Sequence, residues 1–199
     1  MLIRDRLLTR VTIYLACTVR GDRGGVVAGR AICDRLRQHG HEVLTAHLLE
    51  DNVETAESEL TEDAVFRRDL DWLSRCDVLV AEASGSSFGV GFEVGYVLAR
   101  ADRTLQRVVL LYDRARISSI SRLVVGNVHP ACTTFGYASV DELLAFIDQR
   151  FRAAYLGAVL RADRKPHGLA AVERHAGVLA RSVDGVQLDV EVGQAPRVQ

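Results

Sequence analysis

Two acidic residues in this sequence stand where acid–base chemistry could be staged. Across residues 61–75, Val65, Phe66, Leu70, Trp72 and Leu73 form an apolar stripe at helical spacing, and Asp69 lies four residues from both Val65 and Leu73. It therefore falls on the stripe rather than opposite it. A carboxylate on an inward face must be paired, or it keeps its proton. Asp69 reads either as a structural carboxylate bonded to an arginine or a backbone amide, or as a general acid. Glu93 follows the small-residue stretch Ser84-Gly85-Ser86-Ser87 and is flanked by Gly91 and Gly95, which allow a ligand or another backbone close approach. Amides at a helix start favour an ionised carboxylate, so Glu93 reads as an ordinary early-helix glutamate or as a charged catalytic group. Together, one carboxyl set to hold a proton and one set to stay charged match the division of labour in glycosidic cleavage by two carboxylates.

The stretch Ser84–Gly89 leads from an apolar run into a helical one. Ser87, Gly89 and the free N–H groups there suit a phosphate, although such a stretch also serves as a plain turn. It is not a Walker A loop, because the Gly-Lys-Ser/Thr ending is missing, and Gly89-Val90-Gly91 lacks the third glycine of a dinucleotide fingerprint. Thr18-Val19-Arg20-Gly21 adds a hydroxyl and a guanidinium, with Arg20 open to the alternative of a solvated loop charge. Lys165 is the only lysine among 25 basic residues, so an anion site would use the planar fork of arginine. The six histidines form no HxxxH or HExxH pair, the four cysteines form no CxxC, and no GxSxG elbow appears. No metal, no cofactor and no serine-hydrolase triad are expected. Trp72 reads as core.

The elements that must position these residues follow from the apolar pattern. Short β-branched runs at Val11–Cys17, Glu42–Ala46, Asp77–Glu82, Arg107–Tyr112 and Thr133–Tyr137 read as strands. Val26–Gln38, Thr61–Arg75, about Gly89–Ala101 and Val140–Leu156 read as helices, with Thr61 as an N-cap followed by Glu62 and Asp63. Asp51–Leu60 reads as an acidic surface loop, and Asp113–Val128 as a loop with a short helical piece. Strands without polar alternation, interleaved with helices, predict an α/β fold: a Rossmann-like or flavodoxin-like doubly wound sheet of five parallel strands, helices on both faces. Ligands bind such sheets beyond the carboxyl ends of the strands, at a switch point. That directs attention to Thr18–Gly25, Ala83–Gly89 and Asp113–Ser121. After about Gly157 the character changes, with weak helical periodicity at Gly168–Ser182 and strand-like alternation at Val186–Val192. The expected organisation is a catalytic domain over 1–157 and a C-terminal extension over 158–199.

The chain has 199 residues, is 48% hydrophobic and 26% charged, and carries a net charge of −1. It can bury a core without a disulfide or metal staple; its ordinary hydrophobic fraction and small net charge argue against a disordered chain, and it lacks the basic excess of a general nucleic-acid binder. Met1–Arg10 carries three arginines and an aspartate, so no signal sequence is expected there, and no apolar run approaches a membrane span. Reduced, buried cysteines and a cytoplasmic location are expected, with neither nucleic acid nor membrane as partner.

The sequence resembles the 2'-deoxynucleoside 5'-phosphate N-hydrolases of the wider nucleoside 2-deoxyribosyltransferase-like family. The resemblance rests on IYLACTVRG at 13–21, RDLDWLSRCDVLVAEAS at 68–84, SFGVGFEVG at 87–95 and, more loosely, SRLVVGN at 121–127. It implies that Glu93 attacks the anomeric carbon and that Asp69 protonates the departing base and then helps activate water. Tyr14 would orient the nucleophile, and Thr18, Arg20, Ser87 and Gly89 would hold the 5'-phosphate. It implies a homodimer in which Ser121 reaches across to complete the phosphate site of the other subunit, and a nucleoside 5'-monophosphate as substrate. His47, in a polar segment at 46–60, is a candidate for the base side. The chain departs from the family at Cys17-Thr18, where Gly-Ser is usual, at Ser86, where Pro is usual, and at Asp113-Arg114, where Arg-Pro is usual. Three alternatives stay open: a ribonucleotide (CMP-type) N-glycosidase, a deoxyribosyltransferase, and a nucleotide-sensing module that binds without turnover.

Overall fold

A computed structural model describes residues 10–85 and 87–151. The expected extension over 158–199, its two patterned segments and the end of the last helix beyond 151 lie outside the described residues. In chain order the elements are β1 (Thr12–Ala16), α1 (Val26–Gln38), β2 (Glu42–Val43), a 3-10 turn (Ala46–Leu49), α2 (Val53–Ser58), α3 (Glu62–Arg75) and β3 (Val78–Glu82). They continue with α4 (Phe88–Leu98), α5 (Ala101–Thr104), β4 (Arg107–Asp113), a 3-10 turn (Arg114–Ser119), α6 (Arg122–Val125), β5 (Cys132–Tyr137) and α7 (Val140–Phe151). Among the described residues the strands form one parallel sheet in the order β2-β1-β3-β4-β5. This is the flavodoxin-like order, as the alternation of apolar runs predicts, and it puts the switch point between β1 and β3.

Period-two alternation divides the core. Ile13, Leu15, Val80, Val109 and Leu111 face one way, onto Ile32 and Leu36 of α1 and Leu143, Ile147 and Phe151 of α7. Tyr14, Ala16, Leu79, Ala81 and Leu110 face the other way, onto Leu73 of α3 and Val90, Val94 and Val97 of α4. Tyr14 is on this second face, in the layer that carries both α3 and α4. The helix α3 starts where expected: Thr61 accepts from the Ala64 amide at 3.2 Å, with Glu62 and Asp63 in the first turn.

Three expectations are corrected. The segment read as a surface loop, Asp51–Leu60, contains α2, because Leu48, Leu49 and Val53 are buried and draw the polar stretch onto the domain. The second strand ends at Val43 rather than Ala46; beyond it the Thr45 hydroxyl takes over from the ladder, accepting from the Leu15 amide at 2.9 Å and donating to the Leu15 carbonyl at 2.7 Å. The helix expected through Ala101 stops at Leu98 and restarts as α5, which ends at Leu105 in the left-handed region with φ +58°. All four cysteines are free thiols, three of them buried. No helix among the described residues is long and apolar enough to cross a membrane.

Candidate active site

A cleft of about 420 Å³ opens at the switch point, beyond the carboxyl ends of β1 and β3. Its walls include Asp69 from α3, Glu93 from α4, Arg20 from the loop after β1, and Ser87 and Gly89 at the start of α4. Residues from three separate sequence stretches therefore converge on one cavity. Glu93 stands three residues after Val90 and four before Val97, so it lies on the buried side of α4.

Tyr14, completely buried, donates its hydroxyl to Glu93 Oε1 at 2.6 Å. Burial, reinforced by the charges of Glu93 and Asp69, pushes the Tyr14 phenol far above its ordinary range, so it remains a donor. Burial also drives Glu93 up to about 7, against the Tyr14 hydrogen bond, which favours the carboxylate; the Asp69 charge adds to the rise. Asp69 is raised by burial too, but the hydrogen bond and charge of Arg68 oppose the shift.

The expectation that Glu93 stays charged meets an opposing effect, burial, which raises its carboxyl. Glu93 is in the second turn of α4, past the amides that would favour its charge, and it is packed against a buried phenol. Asp69, by contrast, accepts from Arg68 Nε at 2.9 Å. Burial raises both carboxyls, Asp69 against the opposing hydrogen bond and charge of Arg68.

Of the residues expected to hold a phosphate, Arg20, Ser87 and Gly89 line the cleft. Ser87 caps α4, its hydroxyl accepting from the Val90 amide at 3.4 Å, and Gly89 is exposed in the first turn. Arg20 is exposed, with its guanidinium 3.7 Å from Glu62. Thr18 is different: it is buried, is not among the cleft-lining residues, and donates its hydroxyl to the Gly85 carbonyl at 3.0 Å. It pins the loop after β1 to the loop after β3. A Cβ at Gly85 would come within 2.3 Å of the Asp22 carbonyl and 2.6 Å of the Thr18 hydroxyl, so only glycine permits that seam.

Ser121 is exposed and caps α6, accepting from the Leu123 amide at 3.3 Å. It lines a separate apolar groove of about 670 Å³, with Phe88, Phe92, Ile120, Leu123 and Val124, that shares the Ser87 wall with the cleft. His47 stays behind the cleft wall, 3.4 Å from Glu57 and edge-on to Trp72 at 5.6 Å between ring centroids. Among the described residues, no group of three or more His, Cys, Asp or Glu side chains is placed to hold a metal ion.

Sequence reasoning missed Arg68 and Glu57. Both line the cleft, and Arg68 forks onto both Glu57 oxygens, at 2.8 and 3.0 Å. The adjacency of Arg68 to Asp69 was a usable signal; Glu57 was hidden in the segment read as a loop.

A candidate 2'-deoxynucleoside 5'-phosphate N-hydrolase of Thermofilum pendens is 36% identical over 136 residues, covering 68% of this chain and 92% of that protein. The 5-hydroxymethyl-dUMP N-hydrolase of Danio rerio is 38% identical over 96 residues, covering 48% of this chain and 66% of that one. The solved structure of a CMP N-glycosidase of Clostridium botulinum shares the fold, with a TM-score of 0.51 at 19% identity, over 69% of this chain and 98% of that chain. Residues 13–138 match the family model described as nucleoside 2-deoxyribosyltransferase, and this chain belongs to that family.

Proposed function

We propose that this protein is an N-glycosidase that hydrolyses the base–sugar bond of 2'-deoxynucleoside 5'-monophosphates, giving free base and 2-deoxyribose 5-phosphate. The observation that carries the reading is the Tyr14–Glu93 hydrogen bond in a cleft whose wall also bears Asp69. The relatives named as nucleotide N-hydrolases support the substrate class. Tyr14 occupies Glu93 Oε1, which leaves Oε2 to attack the anomeric carbon. As the new C–O bond forms, the C–N bond breaks, its electron pair leaves with the base, and Asp69 delivers a proton to that base. Asp69, now a carboxylate, then takes a proton from water as the water oxygen displaces Glu93 and restores both groups. The 5'-phosphate fits the start of α4 at Ser87 and Gly89, with Arg20 opposite.

One observation favours an exchange of roles, with Glu93 as proton donor and Asp69 as nucleophile: Glu93 rises to about 7, while Arg68 works to keep Asp69 ionised. The bond from Tyr14 favours the first assignment, because a donor on Glu93 stabilises its carboxylate. Free base followed by chromatography, after incubation with a deoxynucleoside 5'-monophosphate, its ribo counterpart and its unphosphorylated nucleoside, tests the reading. Release from the first alone is expected; release only from the ribonucleotide or only from the nucleoside would overturn the substrate assignment.

Tyr14→Phe removes a hydrogen bond to a charged group, worth about 1.5–3 kcal/mol, so kcat is expected to fall roughly 10- to 100-fold with KM little changed. Loss of that donor also disfavours the Glu93 carboxylate, so the acid limb of the pH–rate profile moves to higher pH.

The active unit in this reading is a homodimer in the cytoplasm, a setting that suits four free thiols. A second copy would cover the apolar groove, where Phe88 and Leu123 are almost fully exposed, and would bring its Ser121 to the phosphate end of the cleft. Leu123→Asp is expected to give a monomer by light scattering and to weaken nucleotide binding; a wild-type monomer with full activity would contradict it.

A further inference from the structure

The wall of the cleft behind Asp69 is built around a single guanidinium. Arg68 donates Nε to Asp69 Oδ1 at 2.9 Å, Nη1 to Glu57 Oε1 at 2.8 Å and Nη2 to Glu57 Oε2 at 3.0 Å. Its plane lies over the Trp72 ring, 4.8 Å from the centroid. His47 closes the far side, against both Glu57 and Trp72. All three charged side chains are largely withdrawn from solvent, with 21% of Arg68, 10% of Glu57 and 22% of Asp69 exposed. Solvent screening is therefore weak, and a change in any of these charges is felt by the others. The arginine is also fixed: a bidentate pair and a stacked ring leave it few rotamers.

We infer that Arg68 is a positioning residue for the reaction: held by Glu57 and Trp72, it fixes the orientation of Asp69 and sets the balance of charge around it. The inference rests on the reading of Asp69 as part of the carboxyl pair. The groups that face Asp69 are Arg68 on its own helix, Glu57 on α2, His47 on the 3-10 turn, Glu93 on α4 and Tyr14 on β1. Arg68 favours the Asp69 carboxylate, and Glu57 disfavours it. Glu57 has a double part, since it anchors the arginine by hydrogen bonds and competes with Asp69 for its charge.

Opposite signs follow for two single substitutions. Arg68→Gln removes the cation, so Asp69 holds its proton to higher pH. The expected displacement is upward by about one pH unit or more, the scale of an Asp–Arg pair. Glu57→Gln removes the competing anion and leaves Arg68 to Asp69, so the displacement is downward. Arg68→Lys keeps the charge and loses the fork, so Asp69 titrates close to wild type while kcat stays reduced and KM changes little.

The test is a carboxyl carbon-13 NMR titration of the full chain without nucleotide, with the Asp69 signal identified by its loss in Asp69→Asn. The pH dependence of kcat is measured beside it on the same variants. Opposite displacements of the Asp69 midpoint in Arg68→Gln and Glu57→Gln, with Arg68→Lys near wild type, are the expected result. Equal midpoints, or displacement in the same direction in both, overturn the inference; so does a loss of rate with unmoved pH limbs, which is what a merely structural arginine would give. The titration needs no turnover. A wild-type protein that releases no base would end the functional reading while the NMR arm still decides this one.

Discussion

Glu93→Gln abolishes base release, by roughly 10⁴-fold or more, the scale on which enzymes lose a nucleophile. The amide has the shape of the acid and keeps an oxygen that can accept the Tyr14 hydroxyl, so the bond that holds residue 93 in place has a successor. What it lacks is a charged oxygen for the anomeric carbon. Burial already drives Glu93 up to about 7, so a neutral group at this position costs the fold little. Unchanged circular dichroism and retained nucleotide binding by calorimetry are expected beside the lost turnover. Activity within tenfold of wild type would remove Glu93 from the chemistry.

Asp69→Asn is expected to cost about 10²–10⁴-fold, the usual contribution of a positioned general acid or base. The loss should depend on the leaving group. A base that departs readily as an anion needs little protonation and should suffer least; one that departs poorly should suffer most. Asparagine can still accept from Arg68 through its carbonyl, so the Arg68–Glu57 fork is expected to survive. Rates measured across a series of bases of graded basicity check this. An equal loss for every base would assign Asp69 to holding the nucleotide rather than to proton transfer.

The parallel sheet was legible because its strands are buried on both faces and read as continuous apolar runs, from Ile13–Ala16 to Val108–Leu111. Helix α3 was legible by its cap and stripe. The short helix α2 was not, since its buried contacts, Val53 and Glu57, are isolated among polar residues and depend on partners distant in sequence. The partial burial of Asp69 was legible as a carboxylate out of place on an apolar stripe. The rise of Glu93 was not, because its burial beside Tyr14 depends on an element distant in sequence. Thr18 illustrates the same limit: its hydroxyl is the right group at the right strand end, yet it is bonded to the Gly85 backbone.

The central claim is that Glu93 carries the sugar between loss of the base and attack of water. A 2'-fluoro analogue of a deoxynucleoside 5'-monophosphate, which slows the second step more than the first, allows the adduct to be caught. After incubation, acid quench and proteolysis, mass spectrometry locates it. The expected product is a fluorodeoxyribose 5-phosphate ester on the peptide that contains Glu93, with free base released in equal amount. An ester on Asp69 would establish the exchanged roles, and base released with no ester on either carboxylate would contradict the covalent mechanism.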